Sequence, residues 1–109
     1  MESITEIKIL QLYNGSCLIG YITAENENYV TIEDSRSVNI GMNRSGKVGC
    51  NFGPPSPLHL ILTKDVKKMD IIKSQIMFTA NEDIIPAELV KEYRASVSGI
   101  VTPNNAFQM

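Results

Sequence analysis

Cysteine, histidine, surplus positive charge and long apolar runs are all scarce in this chain of 109 residues, and each shortage excludes a class of protein. The longest apolar run, Leu58-His59-Leu60-Ile61-Leu62, is far too short to span a bilayer. Met1-Glu2-Ser3 opens an acidic N-terminus unlike a secretion leader, so the expectation is a soluble, cytoplasmic protein with no membrane partner. Cys17 and Cys50 have no neighbouring cysteine and His59 is the lone histidine, so no zinc-ligand spacing exists and no metal is expected. Two isolated thiols without an export signal read as reduced, packed hydrophobes, although sequence leaves a disulfide between them open. Ten basic against twelve acidic residues give a net charge of -2, which argues against a broad cationic surface and leaves room only for a small basic site.

Catalytic signatures are missing too. GxGxxG, GxxxxGK[ST], GxSxG and HExxH do not occur, so phosphate cradles, nucleophile elbows and zincin centres lack their residues. His59 on an apolar strand reads as a packing residue before it reads as a general base. Glu82-Asp83, beside Asn81, reads as carboxylate charge at the positive end of a helix before it reads as a cation site. No enzyme, catalytic residue or cofactor is expected.

What is present suits one all-β domain over residues 1–109: 43% hydrophobic and 20% charged residues, at a length that buries roughly 65% of the unfolded surface. Ile7 to Tyr13 is β-rich and runs into Asn14-Gly15, the strongest short hairpin signal, predicting a two-residue turn with positive φ at both positions. Beyond it, Leu18, Gly20 and Ile22 fall on one face and Cys17, Ile19 and Tyr21 on the other, a strand apolar on both sides. Gly20 within it predicts a bend or a close backbone approach.

After the polar turn Glu25-Asn26-Glu27-Asn28 the alternation resumes with Val30 and Ile32. It returns at Val38, Ile40 and Met42, either through a bulge or as a separate strand. Asn43 to Pro57, rich in glycine and proline, reads as a long excursion loop. Leu58 to Leu62 predicts a fourth strand, Lys64 to Asp70 a charged turn, and Ile72 to Phe78 a fifth strand. The core strands thus lie within about 6–80. Pro86 followed by Ala87, Leu89, Val90, Tyr93 and Val97, with Gly99 beyond, predicts a helix over about 86–98. Residues 103–109 read as a frayed tail.

The stretch from Leu12 to Ile32 resembles the first motif of the Sm-like superfamily, which includes the Lsm proteins and the bacterial RNA chaperone Hfq. Asn14-Gly15, Leu18, Gly20 and Ile22 stand where that motif has its turn, apolar residue, glycine and next apolar residue. The resemblance implies a small, strongly bent five-stranded antiparallel barrel of SH3-like or Sm-like type, closed into a homo-oligomeric ring that binds single-stranded RNA near its pore. Here the C-terminal helix and the long Gly/Pro-rich loop would be additions. One extra residue in the turn after the second strand sets Tyr29 at the base-stacking place, Val30 inward and Thr31 at the base-binding place. Asn28 lies beside them.

The second motif, Ile-Arg-Gly-Asn-like at the end of the fourth strand, is met only by Ile61-Leu62-Thr63-Lys64-Asp65, without arginine or glycine. The implied RNA-binding residues are Asn28, Tyr29, Thr31 and Lys64. A tyrosine at a strand start also reads as a packing residue, and Lys64, Lys67 and Lys68 also read as a solvated turn. The competing function is a structural or protein-interaction oligomer of the same fold that binds no RNA.

Overall fold

The computed structural model describes residues 6–42, 44–56, 61–62, 66–98 and 106–108. Strands β1 (Glu6–Leu12) and β2 (Cys17–Glu25) form the predicted hairpin. Its loop is Tyr13 to Gly15, one residue longer than expected. Leu12 accepts the Gly15 N–H at 3.1 Å and donates its own N–H to the Ser16 carbonyl at 2.8 Å. Only Gly15 has positive φ, at +94°, as a three-residue hairpin closed by a left-handed glycine requires. Asn14 contributes through its side chain instead, its Oδ1 accepting the Ser16 N–H at 2.8 Å.

Strand β3 (Tyr29–Met42) is continuous over 14 residues and bulged in the middle, which decides between the two readings of this segment. The register passes from Ile19↔Arg36 to Tyr21↔Glu33, so Gly20 alone faces Asp34 and Ser35. Asp34 takes up the extra residue with φ of +52°, a region that aspartate tolerates better than most side chains. An ideal Cβ on Gly20 would lie 2.6 Å from Ile32 Cγ1 and 3.1 Å from the Glu33 carbonyl oxygen, so the close approach predicted for this glycine is present.

The predicted excursion loop contains a six-residue strand. β4 (Val48–Gly53) pairs with the end of β3 from Met42↔Val48 to Ser37↔Gly53. The apolar alternation of Val48, Cys50 and Phe52 was hidden among glycines. Gly46, at φ +83°, stands in the turn between them. The predicted fourth strand falls mostly outside the described residues, as do His59 and Lys64; Ile61 and Leu62 are described, exposed and not in a strand.

The predicted fifth strand divides. β5 (Lys68–Ile72) and β6 (Ile76–Asn81) are separated by a one-turn 3₁₀ helix, Lys73–Gln75. The supposed charged turn therefore supplies three residues of β5. A second 3₁₀ turn, Glu82–Ile84, contains Glu82 and Asp83 in its first turn, so these carboxylates sit at the start of this short helix, ahead of the expected one. Helix α1 (Ala87–Ser98) starts after Pro86, whose carbonyl accepts the N–H groups of Leu89 and Val90. The tail is not frayed throughout, since β7 (Ala106–Gln108) pairs with β4.

All pairings are antiparallel, in the order β6-β1-β2-β3-β4-β7, with β5 on β3 alongside β4. The all-β, antiparallel expectation with a C-terminal helix holds, but among the described residues the sheet has seven strands rather than five and is not closed. Among the described residues no helix is long and apolar enough to cross a membrane.

Both faces of β2 are buried, in two clusters. Leu10, Leu18, Ile22, Val30 and Ile32 fill one side, with Met69, Ile71 and Ile76 packed against them. Ile7, Ile19, Val38 and Cys50 meet Ile85 and the helix residues Leu89, Val90 and Tyr93 on the other. Each such side chain contributes roughly 1.5–3 kcal/mol on burial, which holds a helix too short to stand alone. Cys17 and Cys50 are free, and burial pushes both thiols above their ordinary range, with Cys50 also raising Cys17.

Tyr93 joins the helix to the bulge: its hydroxyl donates to the Asp34 carbonyl at 2.7 Å. Burial, then neighbouring Tyr21 and Asp34, pushes this phenol well above the ordinary tyrosine range. The unfolded chain releases the proton near pH 10, about the free tyrosine value, whereas the folded chain keeps it. Stability from this group is therefore full below about pH 10 and falls as pH rises further. Melting of wild type and Tyr93→Phe between neutral and alkaline pH should show a shallower alkaline decline in the variant; parallel curves would contradict the assignment.

Candidate functional site

The turn between β2 and β3 is organised by one side chain. Asn26 Oδ1 accepts the N–H of Asn28 at 2.8 Å and of Tyr29 at 2.9 Å, while the Asn26 N–H donates to the Tyr29 carbonyl at 3.0 Å. That arrangement sets where β3 begins. Val30 and Ile32 then turn into the core, and Tyr29, Thr31 and Glu33 share the opposite face. Val30 and Ile32 thus face inward as their alternation in the sequence predicts.

β5 lies antiparallel to this half of β3, with Tyr29↔Ile72, Thr31↔Asp70 and Glu33↔Lys68 in register. Tyr29 is 40% and Ile72 58% exposed, so two large apolar side chains stand in solvent on adjacent strands. Thr31 is half-buried and its hydroxyl donates to Asp70 Oδ1 at 2.7 Å. Its proton is committed, and toward a ligand the oxygen retains acceptor capacity.

Immediately after β5, the Lys73 N–H donates to the Asn28 carbonyl at 2.8 Å. Lys73 Nζ reaches Glu25 Oε2 at 2.7 Å, and this hydrogen bond and charge, with Lys8 adding less, hold the Glu25 carboxyl below its ordinary range. The structure thus brings Asn28, Tyr29 and Thr31 together at one end of the sheet. Lys64 lies outside the described residues; among the described lysines, Lys73 is the one tied to this turn, through its backbone bond to Asn28, while its ammonium is held by Glu25.

Sequence reasoning missed Lys73 because it carried one alternating frame across residues 72–78. The signal was a change of parity: Met69 and Ile71 face the core before the turn and Ile76 after it, so the frame cannot be continuous. Among the described residues no group of three histidine, cysteine, aspartate or glutamate side chains is arranged to hold a metal ion. No family model matches the chain, and no curated protein matches it.

Proposed function

We propose that this chain is an Sm-like protein, a small bent barrel with an open seam between β5 and β6, which assembles into a homo-oligomeric ring and binds single-stranded RNA. One observation carries the reading: Ile72-Lys73 closes against Asn28-Tyr29, joining the two turns whose family counterparts hold RNA. Ile72-Lys73-Ser74-Gln75 would then be this chain's counterpart of the second motif, in place of Ile61 to Asp65. Tyr29 would stack a base, Thr31 would accept from a base edge, and Lys73 would meet phosphate. β5 and β6 each leave an outer edge without a ladder among the described residues, and exposed Met77 and Phe78 stand on β6. Such edges favour pairing with further copies.

Tyr29→Ala is expected to weaken binding of a short uridine-rich oligonucleotide by about 1–3 kcal/mol per stacked base, with melting little changed because the ring is partly in solvent. Lys73→Gln should reduce the salt slope by about one phosphate contact. Anisotropy titrations at several salt concentrations, with melting on the same samples, check both. Wild type that binds no oligonucleotide at low salt, or sediments only as a 12.1 kDa monomer, would overturn the reading. The second reading, a protein-interaction oligomer without RNA, is favoured by the Thr31–Asp70 bond and by Glu25, which set carboxylates beside Tyr29 and Lys73.

A further inference from the structure

The core face that carries Leu10 and Val30 ends in a cleft of about 460 Å³, within the size range of small-molecule sites. Its apolar surface is supplied mainly by Ile76, with Leu10 and Val30 buried behind it, and Glu25 lines the cleft as well. The register Lys8↔Asn81 and Leu10↔Thr79 brings a cation, an amide and a hydroxyl onto the rim beside that surface. Lys73 reaches the same rim from the turn after β5.

The two lysines are differently occupied. Lys73 is held at 2.7 Å by Glu25, whereas Lys8 has its carboxylate neighbour Glu6 at 3.7 Å. The Lys8 side chain is only 21% exposed, so its stem lies along the sheet and its charge is presented at the cleft. Lys8 also lies near enough to Glu25 to act on that carboxyl, but its ion pair with Glu6 is longer than a hydrogen bond, so it is the freer of the two cations. Asn81 and Thr79 each offer a donor and an acceptor. An inorganic anion would leave the apolar surface unused, and a fatty carboxylate would leave the amide and hydroxyl unused. A nucleotide has an anionic group, a flat apolar body and a hydrogen-bonding edge.

We propose that this cleft binds one nucleoside 5′-monophosphate unit, with the phosphate at Lys8, the base over Ile76, and the base edge on Asn81 and Thr79. As a unit of a bound strand it rests on the RNA reading; as a free nucleotide it does not.

Titration of the intact protein with uridine 5′-monophosphate, uridine and inorganic phosphate, followed by amide NMR shifts, tests this. The monophosphate should saturably shift Lys8, Thr79 and Asn81 and bind at least about tenfold more tightly than uridine or phosphate alone, the worth of one charge-assisted contact. Lys8→Gln should cost about tenfold. Glu25→Gln, which removes a repelling carboxylate and releases Lys73, should tighten binding. Asn81→Ala should weaken the monophosphate and leave phosphate unchanged.

Tyr29→Ala should leave monophosphate binding intact while weakening the oligonucleotide, so failure of the stacking site and failure of the cleft are distinguishable. Competition by a short oligouridylate supports the strand as the source, and its absence with retained monophosphate binding supports a free nucleotide. No shift at these residues, equal shifts with phosphate alone, or tighter binding of octanoate would overturn the proposal.

Discussion

Tyr93→Ala is expected to lower stability by about 3–5 kcal/mol, the range for removing a large buried aromatic side chain. Tyr93 is 0% exposed and packs against Tyr21 at 5.5 Å and Phe52 at 6.2 Å between ring centroids. Those partners come from β2 and β4, so the ring ties helix α1 to two strands that are not neighbours. The hydroxyl adds the bond to Asp34, whose carbonyl would lose this donor in the variant. Tyr93→Phe keeps the packing and should cost about 1–2 kcal/mol, the worth of a hydrogen bond with a partner left behind. Since small domains have about 5–15 kcal/mol in total, the alanine variant should show a large fall in melting temperature. Denaturant titration of the two variants checks the order, and equal losses would mean that the ring contributes nothing beyond its hydroxyl.

Gly20→Val should cost about 3 kcal/mol, at the upper end of what overpacking usually costs. An ideal Cβ there would lie 2.6 Å from Ile32 Cγ1 and 2.8 Å from Cδ1, and Ile32 is itself 0% exposed, so the side chain has nowhere to swing. Gly46→Ala meets nothing within 4 Å but must hold φ at +83°, and its cost should be about 1 kcal/mol. The glycine-rich turn therefore has space without conformational freedom. A cycle of Gly20→Ala with Ile32→Ala should show favourable coupling, because the second change removes the atoms with which the first collides. Additive losses in that cycle would place the constraint elsewhere.

The parts of the fold that were legible in the sequence are those set by local chemistry. Asn14-Gly15 marked a hairpin because left-handed backbone there needs glycine; Val30 and Ile32 showed their face by alternation; Pro86 and the spacing of Leu89, Val90 and Tyr93 marked the helix. Elements defined by distant partners were not legible. Val48 to Gly53 is a strand because residues 37–42 lie beside it, and its glycines are tolerated for the hydrogen bonds they make. Residues 106–108 join the sheet through the edge that β4 offers. The same applies to the candidate site. Tyr29 and Thr31 could be assigned to a face from their own neighbours, but Lys73 reaches Asn28 only across the strand pairing of β3 with β5, and Asp70 takes the Thr31 proton by that same register.

A strand with one wet face is held in alignment because slipping by one residue would turn its apolar side chains to water. β2 has no such safeguard, since Leu18 and Ile22 enter one cluster and Cys17, Ile19 and Tyr21 pack on the other. A slip would exchange one set of hydrophobes for another. What distinguishes the correct alignment is a missing side chain: only Gly20 can lie opposite the bulge at Asp34 while Ile32 crosses its Cα. The glycine thus acts as a key that fits a single notch, and the specificity of this sheet is carried by an absence of atoms rather than by a contact.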